Sequence, residues 1–159
     1  LAHVAGYCVA NDITARGYHR RASVPAPPFR YDWFASKARD GSLPLGPGLT
    51  PAWLVPDPHD LRIRLWVNDE LQQDGSTADM ICDIPTLVAA ASQAVTLEPG
   101  DVISTGTPAG VGAGRGASLR PGDVVRTEIE QLGVLVNRIV AANPPPLPRT
   151  PSRPRLEEP

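Results

Sequence analysis

Apolar residues recur along this chain at two periods, and the change from one to the other outlines the elements. From Leu61 to Val67 the run LRIRLWV alternates apolar and polar positions, the period of a half-buried strand. Asn68-Asp69 then turns the chain into ELQQ, which predicts a hairpin. Near the start, AHVAGYCVAND mixes apolar and small residues and reads as a buried strand that ends at Asn11-Asp12. After Asp83 the period lengthens: Leu87, Val88, Ala91 and Val95 recur at helical spacing. Asp83 suits the N-cap of that helix, and Pro85 suits its first turn, where a missing N–H costs nothing. The helix is expected to end before Pro99-Gly100. Two Pro-Gly-Asp turns come next, one leading into a predicted strand VIST and one into VVRTEIE. Gly133 separates the latter from VLVNRIV. Strands and helices do not alternate as βαβ units, so the expected class is mainly β with α (α+β), antiparallel in character.

The segment ITARGYHRRASVPAPPFRYDWFASKARDG, between the first strand and the alternating one, fits neither period. Irregular connections of that length inside a compact domain are uncommon and are often lids or binding loops. It also holds Lys37, the single lysine among fifteen basic residues. A lysine is a compact point charge whose pKa shifts when it is desolvated, whereas arginine stays protonated.

Composition narrows the function classes. The 159 residues are enough for one domain with a core, here expected over 1–141. A net charge of −2 and a pI near 5.9 supply neither a basic stripe for nucleic acid nor a polybasic run for a membrane surface. No apolar run approaches the length of a spanning helix. The chain opens on Leu1 with no secretory leader pattern, and an upstream continuation is expected. Cys8 and Cys82 lack metal or redox spacing and read as two buried thiols in a reducing compartment, the cytoplasm by default, with a disulfide as the alternative. At the other end, NPPPLPRTPSRPRLEEP has seven prolines in seventeen residues and too few large apolar groups to order itself. Residues 142–159 are therefore expected to be a flexible tail.

Few patterns carry chemistry on their own. TGTPAGVGAGRGA, residues 105–117, contains Gly112, Gly114 and Ala117 in GxGxxA spacing. A dinucleotide fingerprint must open a helix inside a βαβ unit, whereas here the chain runs on into a turn, SLRPGD, so nucleotide binding is rejected. The glycines suit sharp turns or a close approach to a ligand, with Thr105 and Thr107 offering hydroxyls. Asp12, at a strand end, could ligate a hard cation or cap nearby amides; one carboxylate is not a metal site. His59 in PDPHD reads as a surface turn residue, and His19 is the one histidine placed near candidate chemistry. Asp57, Asp60, Asp69, Asp74 and Asp79 read as turn or cap residues.

Taken in order, these segments resemble the fumarylacetoacetate hydrolase family. GYCVANDITAR, SKARDGSLPLGP, the central run from VPDPHDLRIRLWVNDELQQDG to STGTPAGVG, and PGDVVRTEIEQLGVLVNRIV carry the resemblance, over roughly residues 2 to 140. The SKARDG and DPHDL spellings are most similar to the homoprotocatechuate-pathway isomerase and decarboxylase branch. The resemblance implies a mixed β-sandwich roll, usually a homodimer. It implies a bound Mg²⁺, Mn²⁺ or Ca²⁺ and a 2-oxo acid substrate that is hydrolysed, decarboxylated or isomerised through a metal-stabilised enolate. On this chain the family's metal carboxylate falls on Asp12, its catalytic lysine on Lys37, and its substrate contacts on Arg16, Thr107 and His19. The last stands where many members have glutamine. The family's Glu-x-Glu metal pair and its glutamate–histidine pair lie upstream of this segment. The expectation is that the upstream half belongs to the protein; the alternatives are a catalytically incomplete subunit whose partner chain supplies those ligands, and a remnant without the metal site.

Overall fold

A computed structural model of the chain describes residues 1–19 and 30–141. The expected tail, 142–159, and part of the long connection lie outside the described residues.

Among the described residues six strands form two sheets. β1 (Gly6–Ala10) and β2 (Leu45–Pro51) make an antiparallel pair. β3 (Arg62–Val67), β4 (Glu70–Ser76), β5 (Val124–Ile129) and β6 (Gly133–Arg138) make a four-stranded antiparallel sheet in the order β4-β3-β5-β6. The described residues also form α1 (Trp33–Lys37), α2 (Ile84–Ala94) and a single turn, α3 (Gly112–Arg115). The α+β class read from the sequence is the class observed.

The β3–β4 hairpin owes its form to its turn residues. Asn68 and Asp69 both have positive φ, 50° and 67°, the backbone of the two-residue turn whose twist matches that of paired strands. The Asn68 side chain also spans to the neighbouring strand. Its amide nitrogen donates to Asp123 at 2.8 Å, and its oxygen accepts from the Val124 N–H at 2.9 Å. Asp123 accepts from the Arg120 N–H as well, at 2.7 Å. The second Pro-Gly-Asp turn is thus an anchor for the start of β5.

Alternation divides the sheet into two faces. Ile63, Leu65, Val67, Val125, Thr127 and Ile129 line a groove on the inner face. Arg62, Arg64, Trp66, Arg126 and Glu128 project from the other. There Glu128 accepts from both Arg64 and Arg126 at 2.6 Å, and the two guanidiniums lie 5.3 and 4.4 Å from the centroid of the Trp66 ring. Where the two sheets meet, Val9, Val55, Leu61 and Leu132 are buried together, with Tyr7, Ile129 and Leu135 packed on them.

Three readings change, and one strand is added that the sequence pattern did not predict. Residues 102–105, VIST, form no strand and take part in no strand pairing among the described residues. β2, LGPGLTP, carries no strand pattern yet pairs antiparallel with β1, its prolines offering only carbonyl acceptors to the ladder. Cys8 is half-buried and Cys82 is exposed in the turn before α2; both are free, so the buried-thiol reading fails and no disulfide forms. Asp74 lies within β4 rather than in a turn and holds Arg62 by two hydrogen bonds, at 3.0 and 2.8 Å.

Candidate active site

Lys37 is the last residue of α1, and the elements around that short helix direct its side chain. Asp32 caps α1 by accepting from the Ala35 N–H at 2.8 Å. Ser36 is fully buried, its hydroxyl donates to Trp33 O, and its carbonyl accepts from the Ala15 N–H. That last bond ties the helix to the segment just after Asp12. Lys37 Nζ donates to Asp12 Oδ2 at 2.5 Å, with side-chain exposures of 31% and 44%. The pair is therefore reachable by a ligand and partly screened by water. Asp12 itself is positioned by β1: the Asn11 N–H donates to Pro44 O and the Ile13 N–H to Ser42 O.

This pair faces a groove of about 2200 Å³ bounded by the inner face of the four-stranded sheet, β1 and α2. Arg16, exposed at the start of a single 3-10 turn, lines it, and so does Thr107. Asp12, Arg16, Lys37 and Thr107 thus share one groove. His19 does not line it. Its ring stacks on Tyr31 at 5.1 Å, meets Trp33 edge-on at 4.3 Å, and lies 3.4 Å from the Ser36 hydroxyl. In this structure His19 packs behind α1.

Two side chains, one beside Thr107 and one at the start of α2, have structural roles that the sequence reading missed. Gln73, on β4, is buried opposite Leu65, and its amide nitrogen reaches Thr107 Oγ1 at 2.9 Å, Pro108 O at 2.7 Å and Ala109 O at 3.3 Å. A glutamine at an inward-facing strand position was the available clue. His59 is no mere turn residue: its Nε2 accepts from the Ile84 N–H at 3.0 Å and so joins Asp83 in satisfying the start of α2. Gly110 makes the close approach expected of the glycine-rich loop. At φ +100°, its Cα sits so near β4 that an added Cβ would lie 2.0 Å from Gln72 O.

The glycine-rich segment opens a helix of one turn, but no strand precedes it, so the dinucleotide reading stays rejected. The donor set for a metal is also limited. Among the described residues no three His, Cys, Asp or Glu side chains converge. A hard cation takes at least one or two carboxylates plus waters or substrate oxygens, and here Asp12 stands with Lys37 as its partner. These residues by themselves do not make a metal centre.

Two antiparallel sheets around a groove that holds a lysine–carboxylate pair agree with the family read from the motifs. The chain belongs to the fumarylacetoacetate (FAA) hydrolase C-terminal family, whose profile it matches over residues 1–140. It is 44% identical over 142 residues to the human mitochondrial oxaloacetate tautomerase FAHD2A, covering 88% of this chain and 43% of that protein. It is 43% identical over 141 residues to the 4-hydroxyphenylacetate degradation bifunctional isomerase/decarboxylase of Escherichia coli, covering 89% of this chain and 30% of that one. Among solved structures, maleylpyruvate hydrolase from Sphingobium sp. SYK-6, in complex with manganese(II) and pyruvate, superposes with a TM-score of 0.68 at 39% identity. That match covers 86% of this chain and 44% of the other. The chain thus spans less than half the length of these relatives. All three are enzymes by name.

Proposed function

We propose that this chain is the lysine-bearing part of an enzyme that cleaves or rearranges bonds next to the ketone of 2-oxo acids, within the catabolism of aromatic-derived acids. The observation that carries this reading is the Lys37–Asp12 pair at the groove that also holds Arg16 and Thr107. Hydrolysis, decarboxylation and tautomerisation of such acids all develop negative charge on the oxygen of the former ketone. An ammonium group held by a carboxylate and aimed into a groove stabilises that charge as it forms. Arg16 supplies a second, permanent positive charge for a carboxylate. Thr107 adds a hydroxyl that lines the same groove.

A divalent cation, Mg²⁺, Mn²⁺ or Ca²⁺, belongs to the reading, with Asp12 as one donor and the remaining donors outside the described residues. The manganese and pyruvate named with the maleylpyruvate hydrolase support it. The free thiols favour a reducing compartment, expected to be the cytoplasm. A homodimer is the expected assembly.

The test is Lys37→Met in the full-length protein, assayed on oxaloacetate and on an acylpyruvate. Turnover should fall by about a hundredfold or more, with circular dichroism unchanged. Near-normal turnover would sink the proposal. A second reading, a subunit that is inactive until a partner chain completes the site, is favoured by the lack of three converging metal-ligating side chains among the described residues. Turnover by the purified protein alone would exclude that reading.

A further inference from the structure

We infer that Gln73 is a positioning residue that sets the hydrogen-bond polarity of Thr107, so that the hydroxyl meets the ligand as a donor. The inference rests on the reading of Thr107 as a ligand contact. It begins with the amide orientation. The nitrogen of Gln73 lies against Pro108 O at 2.7 Å and Ala109 O at 3.3 Å. Carbonyl oxygens only accept, so the group facing them must be the NH₂. The same nitrogen lies 2.9 Å from Thr107 Oγ1, so there too Gln73 donates and the threonine oxygen accepts. An amide nitrogen has two hydrogens, and the two shorter contacts take them.

With a lone pair of Oγ1 occupied, the hydroxyl hydrogen of Thr107 must point elsewhere. Among the described residues no side chain or carbonyl accepts it, and Thr107 is exposed on the groove wall. The hydrogen is therefore presented to whatever occupies the groove. The group it suits is an acceptor, such as a carboxylate or enolate oxygen. Gln73 can hold this arrangement because it is itself fixed: 7% exposed, on a paired strand opposite Leu65. The loop cannot drift from it, since Gly110 is seated against the Gln72 carbonyl and Arg115 donates to Gly110 O at 3.0 Å.

The test is a double-mutant cycle in the full-length protein with oxaloacetate as substrate. Thr107→Val and Gln73→Met should each raise KM by about tenfold, the scale of one hydrogen bond to a charged group, with kcat less affected. The double variant should be little worse than Thr107→Val alone, because Gln73 acts through that hydroxyl. Gln73→Glu gives a second readout. Its carboxylate takes the Thr107 hydrogen for itself, so KM should rise further than in Gln73→Met and recover as the pH falls and the introduced carboxyl is protonated. A packing role would produce no such pH dependence. Effects that multiply across the cycle, or Gln73 variants with wild-type KM, overturn the inference while the Thr107 reading stands. An unchanged KM in Thr107→Val overturns both. Loss of folding in both Gln73 variants also overturns it, because the amide would then be needed by the sheet rather than by Thr107.

Discussion

Lys37 and Asp12 are separated by 25 residues in sequence and by 2.5 Å in space. Composition alone singled out the first, as the one lysine in an arginine-rich chain, and its place at a strand end singled out the second. Their contact could not be read, because it depends on how α1 is docked through Ser36. Gln73 and His59 were missed for a related reason. A polar side chain becomes structural only when a partner arrives from another segment, and both partners are distant in sequence: Thr107 for one, Ile84 for the other. Gly110 shows the opposite case, a residue whose type already announces its constraint. It needs φ +100° and has no room for a Cβ beside the Gln72 carbonyl. Gly110→Ala should therefore destabilise by about 1–2 kcal/mol from the left-handed backbone alone, and by more once the overlap is added. Urea denaturation with an unchanged midpoint would show that the loop is not seated on β4.

At the scale of elements, strong periodicity was legible and weak pairing was not. β3, β5 and α2 announce themselves through alternation and helical spacing, since each has one face to bury. β2, rich in Gly and Pro, takes its form from its neighbour, whereas residues 102–105 have strand composition and no strand partner among the described residues. The best-specified element end is the start of α2. Asp83 accepts from the Thr86 N–H at 2.8 Å, and hydrogen bonding from the Thr86 side chain and then its backbone holds the carboxyl below its usual range. A carboxyl with a depressed folded pKa adds stability above its unfolded pKa, and that stability is lost as the pH falls through the folded value. Melting temperature should thus drop as the pH is lowered below about 4. Asp83→Asn should keep the helix, because asparagine also caps, yet flatten part of that acid dependence. An acid profile identical to wild type would remove Asp83 from the account. His59→Ala should cost about 1–3 kcal/mol at neutral pH, by leaving the buried Ile84 N–H without its acceptor.

At the scale of the whole molecule the two faces of the four-stranded sheet divide the work. The outer face is a lattice of arginines, Trp66 and Glu128; the guanidinium of Arg64, and Arg126 with it, holds the Glu128 carboxyl below its usual range. The inner face lines the groove. The groove is far larger than one small acid needs, and within it the Lys37–Asp12 pair is the charged contact on which the proposed chemistry rests. That pair supplies one carboxylate and one ammonium, and these two groups make separable predictions. If Asp12 is a donor to a divalent cation, titration of the full-length protein with Mn²⁺ should show binding that oxalate, a mimic of a pyruvate enolate, tightens. Asp12→Ala should weaken or abolish that binding. Lys37→Met removes no oxygen ligand, so it should bind Mn²⁺ as wild type does while losing turnover. Binding that survives Asp12→Ala would leave Asp12 only as the partner of Lys37. Binding lost in Lys37→Met as well would mean that the ion pair builds the site as a unit, rather than dividing metal binding from charge stabilisation.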